Sequence, residues 1–188
     1  FTVAPLVLVG TCEADGSFDL APKHMVLPLG WQNYFGFVCT PRHATYFNAW
    51  RERAFTVSYP RPGQVVETGL AASGRCDDGS KPAVAKLATV PARKVTGVLL
   101  EGASVHLECE LERVVDGFGN NSLVIGRIVA AYADPAALRD VADTVGHERF
   151  GWQSVPPCSA GFLVIGFDTA RQIEMGDEAH VRLVDAHA

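Results

Sequence analysis

Ser104-Val105-His106-Leu107-Glu108-Cys109-Glu110-Leu111-Glu112 alternates apolar and polar side chains at every step. A period of two places Val105, Leu107, Cys109 and Leu111 on one face of a strand and His106, Glu108, Glu110 and Glu112 on the other. That is the pattern of a half-buried antiparallel strand with its acidic face in water. Asp116-Gly117-Phe118-Gly119-Asn120-Asn121 follows with turn chemistry, and Ser122 to Tyr132 returns as a β-branched strand, completing one long hairpin.

The rest of the chain is arranged around this hairpin. Val7 and Val9 lie in a first strand, Ala14-Asp15-Gly16-Ser17 turns, and Asp19 to Met25 returns. Pro22 has no N–H for a ladder, so the return strand is expected to bulge or cross irregularly there. Tyr34 to Cys39 reads as an aromatic-rich strand ending at Thr40-Pro41, Arg42 to Arg53 as a helix, and Ala54 to Tyr59 as a strand. Pro60 to Pro82 is rich in Pro and Gly without periodicity and reads as a surface excursion, a lid or an interface arm. Asp134-Pro135 opens a helix reaching about Val145, with Asp134 as its cap, and Phe162 to Phe167 reads as a late strand. Consecutive hairpins with two or three helices favour a mainly β, closed or nearly closed antiparallel barrel over a doubly wound sheet.

Composition sets bounds on function. With 188 residues, 48% of them hydrophobic, the chain is expected to fold as a single domain over residues 1–188. A net charge of −5 with scattered Lys and Arg gives no footprint for a nucleic acid or an anionic membrane. The apolar runs fall far short of the roughly 18 residues that span a bilayer. Residue 1 is Phe rather than Met, which reads as a numbering that omits an N-terminal piece, and no charged segment precedes the Val3 to Val9 run, so no secretory signal is supported. Five cysteines, far apart and without a C-x-x-C pair, fit a reducing cytoplasm.

Most catalytic motifs are missing. The sequence has no phosphate-binding P-loop, no G-x-G-x-x-G fingerprint and no G-x-S-x-G elbow. His147-Glu148 lacks the second His of a zincin, having Gly151 there, and His106-x-Glu108 lacks the paired cysteines of a zinc deaminase. No metal site is expected. Asn120-Asn121-Ser122 matches a glycosylation sequon but reads as a polar turn.

One segment resists a structural explanation. Between Thr40 and Asn48 a strand end carrying Cys39, the basic pair Arg42-His43, and Thr45 meet at a helix start. Free N–H groups and the positive end of the helix dipole favour an anion, with the Thr45 hydroxyl and the forked Arg42 as further donors. Asn48 lies on the same helical face as Thr45. From these residues alone, an anion site and a simple Thr cap both remain open.

Val9-Gly10-Thr11, Asp15-Gly16, Asp19-Leu20-Ala21-Pro22, Thr45-x-x-Asn48 and Phe55-Thr56-Val57 together resemble, in order and spacing, the flavin reductase-like family. Pro91-Ala92-Arg93-Lys94-Val95, Leu107 to Leu111 and Leu123-Val124-Ile125-Gly126 resemble its later blocks. The resemblance implies an FMN-binding split barrel that forms homodimers. It implies that Ala21, Pro22, Lys23, His24 and Met25 line the flavin ring and ribityl chain, and that Thr40, Arg42, Thr45 and Asn48 hold the 5′-phosphate, with Cys39 and His43 beside them. The implied activity is hydride transfer from NAD(P)H to flavin, with electrons passed to a flavin-dependent monooxygenase or another acceptor. A non-enzymatic, flavoredoxin-like FMN carrier is the alternative, and a barrel holding haem or a pyridoxal-type phosphate a third. The family usually has Asn at Asp19 and often Ser at Lys23 or His24. Arg149, near Phe150, and the Pro60 to Pro82 arm are candidates for covering the flavin.

Overall fold

The computed structural model describes residues 5–30 and 32–137. The expected late strand, the helix beyond Ala137, and Arg149 and Phe150 lie outside those residues.

Nine strands and two α-helices are described: β1 (Val7–Cys12), β2 (Phe18–Lys23), β3 (Val26–Pro28), β4 (Tyr34–Cys39), α1 (Ala44–Glu52), β5 (Ala54–Tyr59), α2 (Val65–Ala71), β6 (Thr89–Pro91), β7 (Val98–Leu100), β8 (Val105–Phe118) and β9 (Asn121–Ala133). Seven strands form one sheet in the order β2-β1-β5-β8-β9-β4-β3, every neighbouring pair antiparallel. β2 and β3 stand at opposite edges yet are joined by His24 and Met25 alone, and Val38 N–H donates to the Met25 carbonyl at 2.9 Å. A sheet whose edges are linked by two residues must curl round on itself, which gives the nearly closed barrel expected.

The inner face buries Val9, Phe35, Phe37, Phe55, Val57 and Cys109, and α1 contributes Ala49 to this core. Phe37 and Phe55 meet edge to face with ring centroids 5.1 Å apart, an arrangement worth about 1 kcal/mol beyond area burial. Burial inside this core pushes the Cys109 thiol well above its usual range.

The sequence reading requires several corrections. Pro22 makes no bulge: the β1–β2 register runs unbroken from Val7↔Lys23 to Cys12↔Phe18. β2 is an edge strand, where a missing donor costs no second ladder. The irregularity falls at His24-Met25 instead, and the bulges lie in β8–β9. The hairpin turn is also tighter than expected, because Phe118 pairs with Asn121, leaving only Gly119-Asn120 between the strands. α1 begins two residues later than expected, at Ala44, and ends one residue earlier, at Glu52. Asp134 also forms an ion pair with Arg61, and Pro135–Ala137, where the expected helix opens, is a 3-10 turn at the end of the described residues.

Pro60 to Pro82 is not wholly a surface excursion. Thr68 and Ala71 of α2 are buried, and Ala71, Val84, Leu87, Leu100 and Ala103 pack with Leu8 and Leu20 as a second apolar layer on the sheet's outer face. β7 crosses there so closely that a Cβ on Gly10 would stand 2.6 Å from the Val98 carbonyl oxygen. The outer layer also corrects the reading of β8: Glu108 is fully buried.

Candidate functional site

α1 is held at one end by two contacts to β1. Asn48 Nδ2 donates to Thr11 Oγ1 at 3.2 Å, and Arg51 Nη2 donates to the Cys12 carbonyl at 2.6 Å. These fix the C-terminal half of the helix over the end of β1. Its N-terminus therefore points toward the beginning of β1, where Val7 pairs with Lys23 of β2. β4 delivers the chain to the same place, ending at Cys39 immediately before the Thr40–His43 turn, closed by His43 N–H on the Thr40 carbonyl at 3.0 Å.

This helix start is electrostatically bare. His43 at the cap position supplies no side-chain cap, and the first turn holds no acidic residue. Within that turn no acidic side chain offsets the partial positive charge of the helix N–H groups. Lys23 stands beside it with 9% of its surface exposed. Burial pushes its ammonium below the usual lysine range, against a weaker upward pull from Cys39 and Asp19. His43 is lowered first by burial and then by Lys23 and Arg42, whereas burial raises the Cys39 thiol against the pull of Lys23 and of the Tyr46 N–H. The Val38 N–H bond to the Met25 carbonyl brings the end of β4, with Cys39, beside the end of β2, with Lys23.

Among the described residues, no carboxylate forms an ion pair with Lys23. A buried ammonium is retained at a cost unless an anion compensates it. A buried cation without an ion pair, beside an uncapped helix N-terminus, is a donor set that fits a phosphate.

The remaining site residues are distributed unevenly. Arg42 and His43 are exposed at the helix start, and Thr45 is buried beneath it. Thr40 is half-buried, its hydroxyl donating to Asn121 Oδ1 at 3.3 Å. Ala21 is buried on the same face of β2 as Lys23, Pro22 is half-buried on the opposite face, and His24 and Met25 are exposed in the link between the sheet edges. Asn48, at the middle of α1 and one turn on from Thr45, is buried and donates to Thr11.

Two clusters went unread in the sequence. Asp19, also on the Lys23 face of β2, is 4% exposed and takes Lys81 Nζ at 2.9 Å and Arg75 Nη2 at 3.0 Å. Arg75 pairs with Glu13 as well, and Lys81 donates to the Leu20 carbonyl at 3.1 Å. Both cations come from a segment without periodicity, so no pattern pointed at Arg75 and Lys81 as partners of Asp19. The second cluster is the Glu108 carboxylate, which accepts the backbone N–H groups of Arg93, Lys94 and Val95. Tyr132 lies beside it, and burial together with the Glu108 carboxylate raises the phenol to about 12. Arg93 lies 5.6 Å from the centroid of the same ring.

Residues 2–148 match the family model described as the flavin reductase like domain. This chain belongs to that family. Solved structures share its fold as a flavin reductase-like split barrel. Component B of nitrilotriacetate monooxygenase from Bacillus cereus superposes with a TM-score of 0.67 at 20% identity, covering 75% of this chain and 74% of that one. The NADH:FAD oxidoreductase of Streptomyces globisporus C-1027 gives 0.61 at 18% identity, with coverages of 71% and 72%. An FMN-binding protein from Thermus thermophilus gives 0.63 at 21%, with coverages of 72% and 74%. In this flavin reductase-like chain, no helix among the described residues is long and apolar enough to cross a membrane.

Proposed function

We propose that the chain is an FMN-binding, NAD(P)H-dependent flavin reductase whose cofactor phosphate is held where α1 begins. The observation that carries this reading is Lys23, a nine-tenths buried ammonium that forms no ion pair with any carboxylate among the described residues, standing beside an uncapped helix N-terminus. Thr40, Arg42, His43 and Thr45 would complete the phosphate end, with Cys39 as its apolar wall. Ala21, Pro22, His24 and Met25, along and just beyond the end of β2, would flank the ribityl chain and ring. Asn48 acts one step back, fixing α1 on β1 through Thr11. Bound flavin supplies the hydride-accepting chemistry, and the chain's part is to orient it and set the surrounding charge. No side chain is assigned as an acid or base. Family membership supports a homodimer and a flavin-dependent monooxygenase, or another acceptor, as the consumer of the electrons.

The test is a titration of the purified full chain with FMN and with riboflavin, followed by addition of NADH or NADPH. FMN binds, riboflavin binds more weakly, and one nicotinamide is oxidised steadily. Lys23→Met weakens FMN about tenfold to a hundredfold, the range of one charge-assisted hydrogen bond, and leaves riboflavin nearly unchanged. An equal loss for both ligands moves Lys23 from the phosphate to the ring. Firm flavin binding without nicotinamide oxidation replaces the reductase reading with an electron carrier.

A further inference from the structure

Ala71 and Val84 are both buried, but every residue from Ala72 to Ser80 between them is exposed. This stretch holds its own shape through a compact turn: Cys76 N–H donates to the Ser80 carbonyl at 2.9 Å, Gly79 N–H to the Cys76 carbonyl at 2.9 Å, and Arg75 Nη1 to the Gly79 carbonyl at 2.9 Å. It contributes nothing to either apolar core. Its side-chain contacts with the barrel are ionic and polar: Arg75 on Glu13 and Asp19, and Lys81 on Asp19 and the Leu20 carbonyl.

Apart from Glu13, those contacts lie on β2, one of the two edge strands of the sheet. Asp19, Ala21 and Lys23 alternate onto one face of that strand, and Lys81 is close enough to Lys23 to oppose its protonation. The segment thus runs beside the face that carries the unpaired ammonium. We propose that residues 72–83 form a strap that closes the open side of the flavin site, shut by the double ion pair of Asp19 with Arg75 and Lys81. The inference rests on the flavin reading above. It gives Asp19 the part of a positioning residue, a carboxylate whose lone pairs are spent on the strap. Because the tether is ionic where the anchors are apolar, the strap opens without unfolding either core.

Two variants break the tether from opposite sides: Asp19→Asn, which keeps the shape of the side chain, and the double change Arg75→Gln with Lys81→Gln. Endoproteinase Asp-N cuts before Asp77 and Asp78, which neither variant alters, so its rate at those bonds reads strap opening directly. Stopped-flow exchange of FMN reads access to the site. Both variants raise the cleavage rate and the FMN association and dissociation rates about tenfold, as expected for loss of a charge-assisted bond. The equilibrium affinity moves less than either rate, and combining the variants adds little. Cleavage unchanged in both variants overturns the tether. Faster cleavage with unchanged exchange rates overturns the gating. A large change in FMN affinity in Asp19→Asn alone makes Asp19 a flavin contact and overturns its positioning role. If the wild-type chain takes up no FMN, the flavin reading fails and the gating with it, while the cleavage comparison still decides whether ions hold the strap.

Discussion

The Glu108 carboxylate accepts the backbone N–H of Lys94 at 2.6 Å, fourteen residues away in sequence, and it does so with no exposure to solvent. The neighbouring N–H groups of Arg93 and Val95 converge on the same two oxygens. A chain of three consecutive N–H groups around one anion fixes the 92–97 loop to the outside of β8. Glu108→Ala strands those donors in a dry layer, and we expect it to cost about 3–5 kcal/mol, the range for breaking a buried charged pair. Glu108→Gln, which keeps one acceptor oxygen, costs less than half as much. Urea unfolding curves check both; a loss below about 1 kcal/mol for the alanine variant would show that the loop contributes no stability through this bond.

The same residue marks where the sequence stopped being legible. The longer strands, their hairpins and the barrel class follow from alternation and turn residues, and β4 and β5 fall on the residues that alternation and breakers select, whereas the three-residue strands β3, β6 and β7 are too short to show a period. Alternation reports only that two faces differ, not what covers the second face. Glu108 sits on the polar face like Glu110, yet the 60–104 segment folds over one and leaves the other in water. That cover comes from tertiary packing of a Gly- and Pro-rich stretch with no period to read. The site divides similarly. The Thr40–His43 turn and Thr45 were visible as a strand-to-helix junction. Lys23, by contrast, needed the curl of the sheet to bring the end of β2 against it.

Asn48 and Thr11 should behave as one unit. Asn48 Nδ2 reaches Thr11 Oγ1 at 3.2 Å, and both residues are almost wholly buried. Asn48→Ala and Thr11→Val each lose about 1–2 kcal/mol. The double variant loses less than the sum, with a coupling near 1 kcal/mol in a thermal or denaturant cycle. Strict additivity would mean that the two side chains do not support each other, and that α1 is placed by Ala49 and Arg51 alone.

Lys23 gives a pH dependence with a definite sign. Burial lowers its pKa in the folded chain below the 10.5 of the unfolded one. Between the folded value and 10.5 the unfolded chain binds more protons, so stability contributed by this residue rises with pH through that window. Below the folded value the full penalty of a buried charge is present. Lys23→Met removes that penalty and is expected to stabilise the ligand-free protein at neutral pH by about 1 kcal/mol or more, an advantage that shrinks as pH approaches 10. Guanidinium unfolding of both proteins at several pH values measures it. An advantage constant with pH would show that the lysine is solvated in the folded state.

Association of two copies is expected to use the outer face of α1. Phe47 and Trp50 are 55% and 59% exposed, one turn apart, on a helix whose opposite face is packed on β1. Tyr46 carries the surface onward: its hydroxyl donates to Asp116 Oδ1 at 3.2 Å, tying α1 to the β8–β9 hairpin, whose Phe118 is 57% exposed. Three large aromatics along one helix and the hairpin beside it are features of the kind that mark an interface, since a large aromatic buries on the order of 150–250 Å² in full and each of these still exposes more than half of its surface. Two such faces meeting about a twofold axis supply the apolar centre of a standard interface. Sedimentation equilibrium of the full chain at micromolar concentration is expected to give a dimer. Phe47→Asp combined with Trp50→Asp places two charges in each half of that centre and gives a folded monomer, with unchanged far-ultraviolet circular dichroism. A dimer that survives both changes would place the interface elsewhere on the barrel.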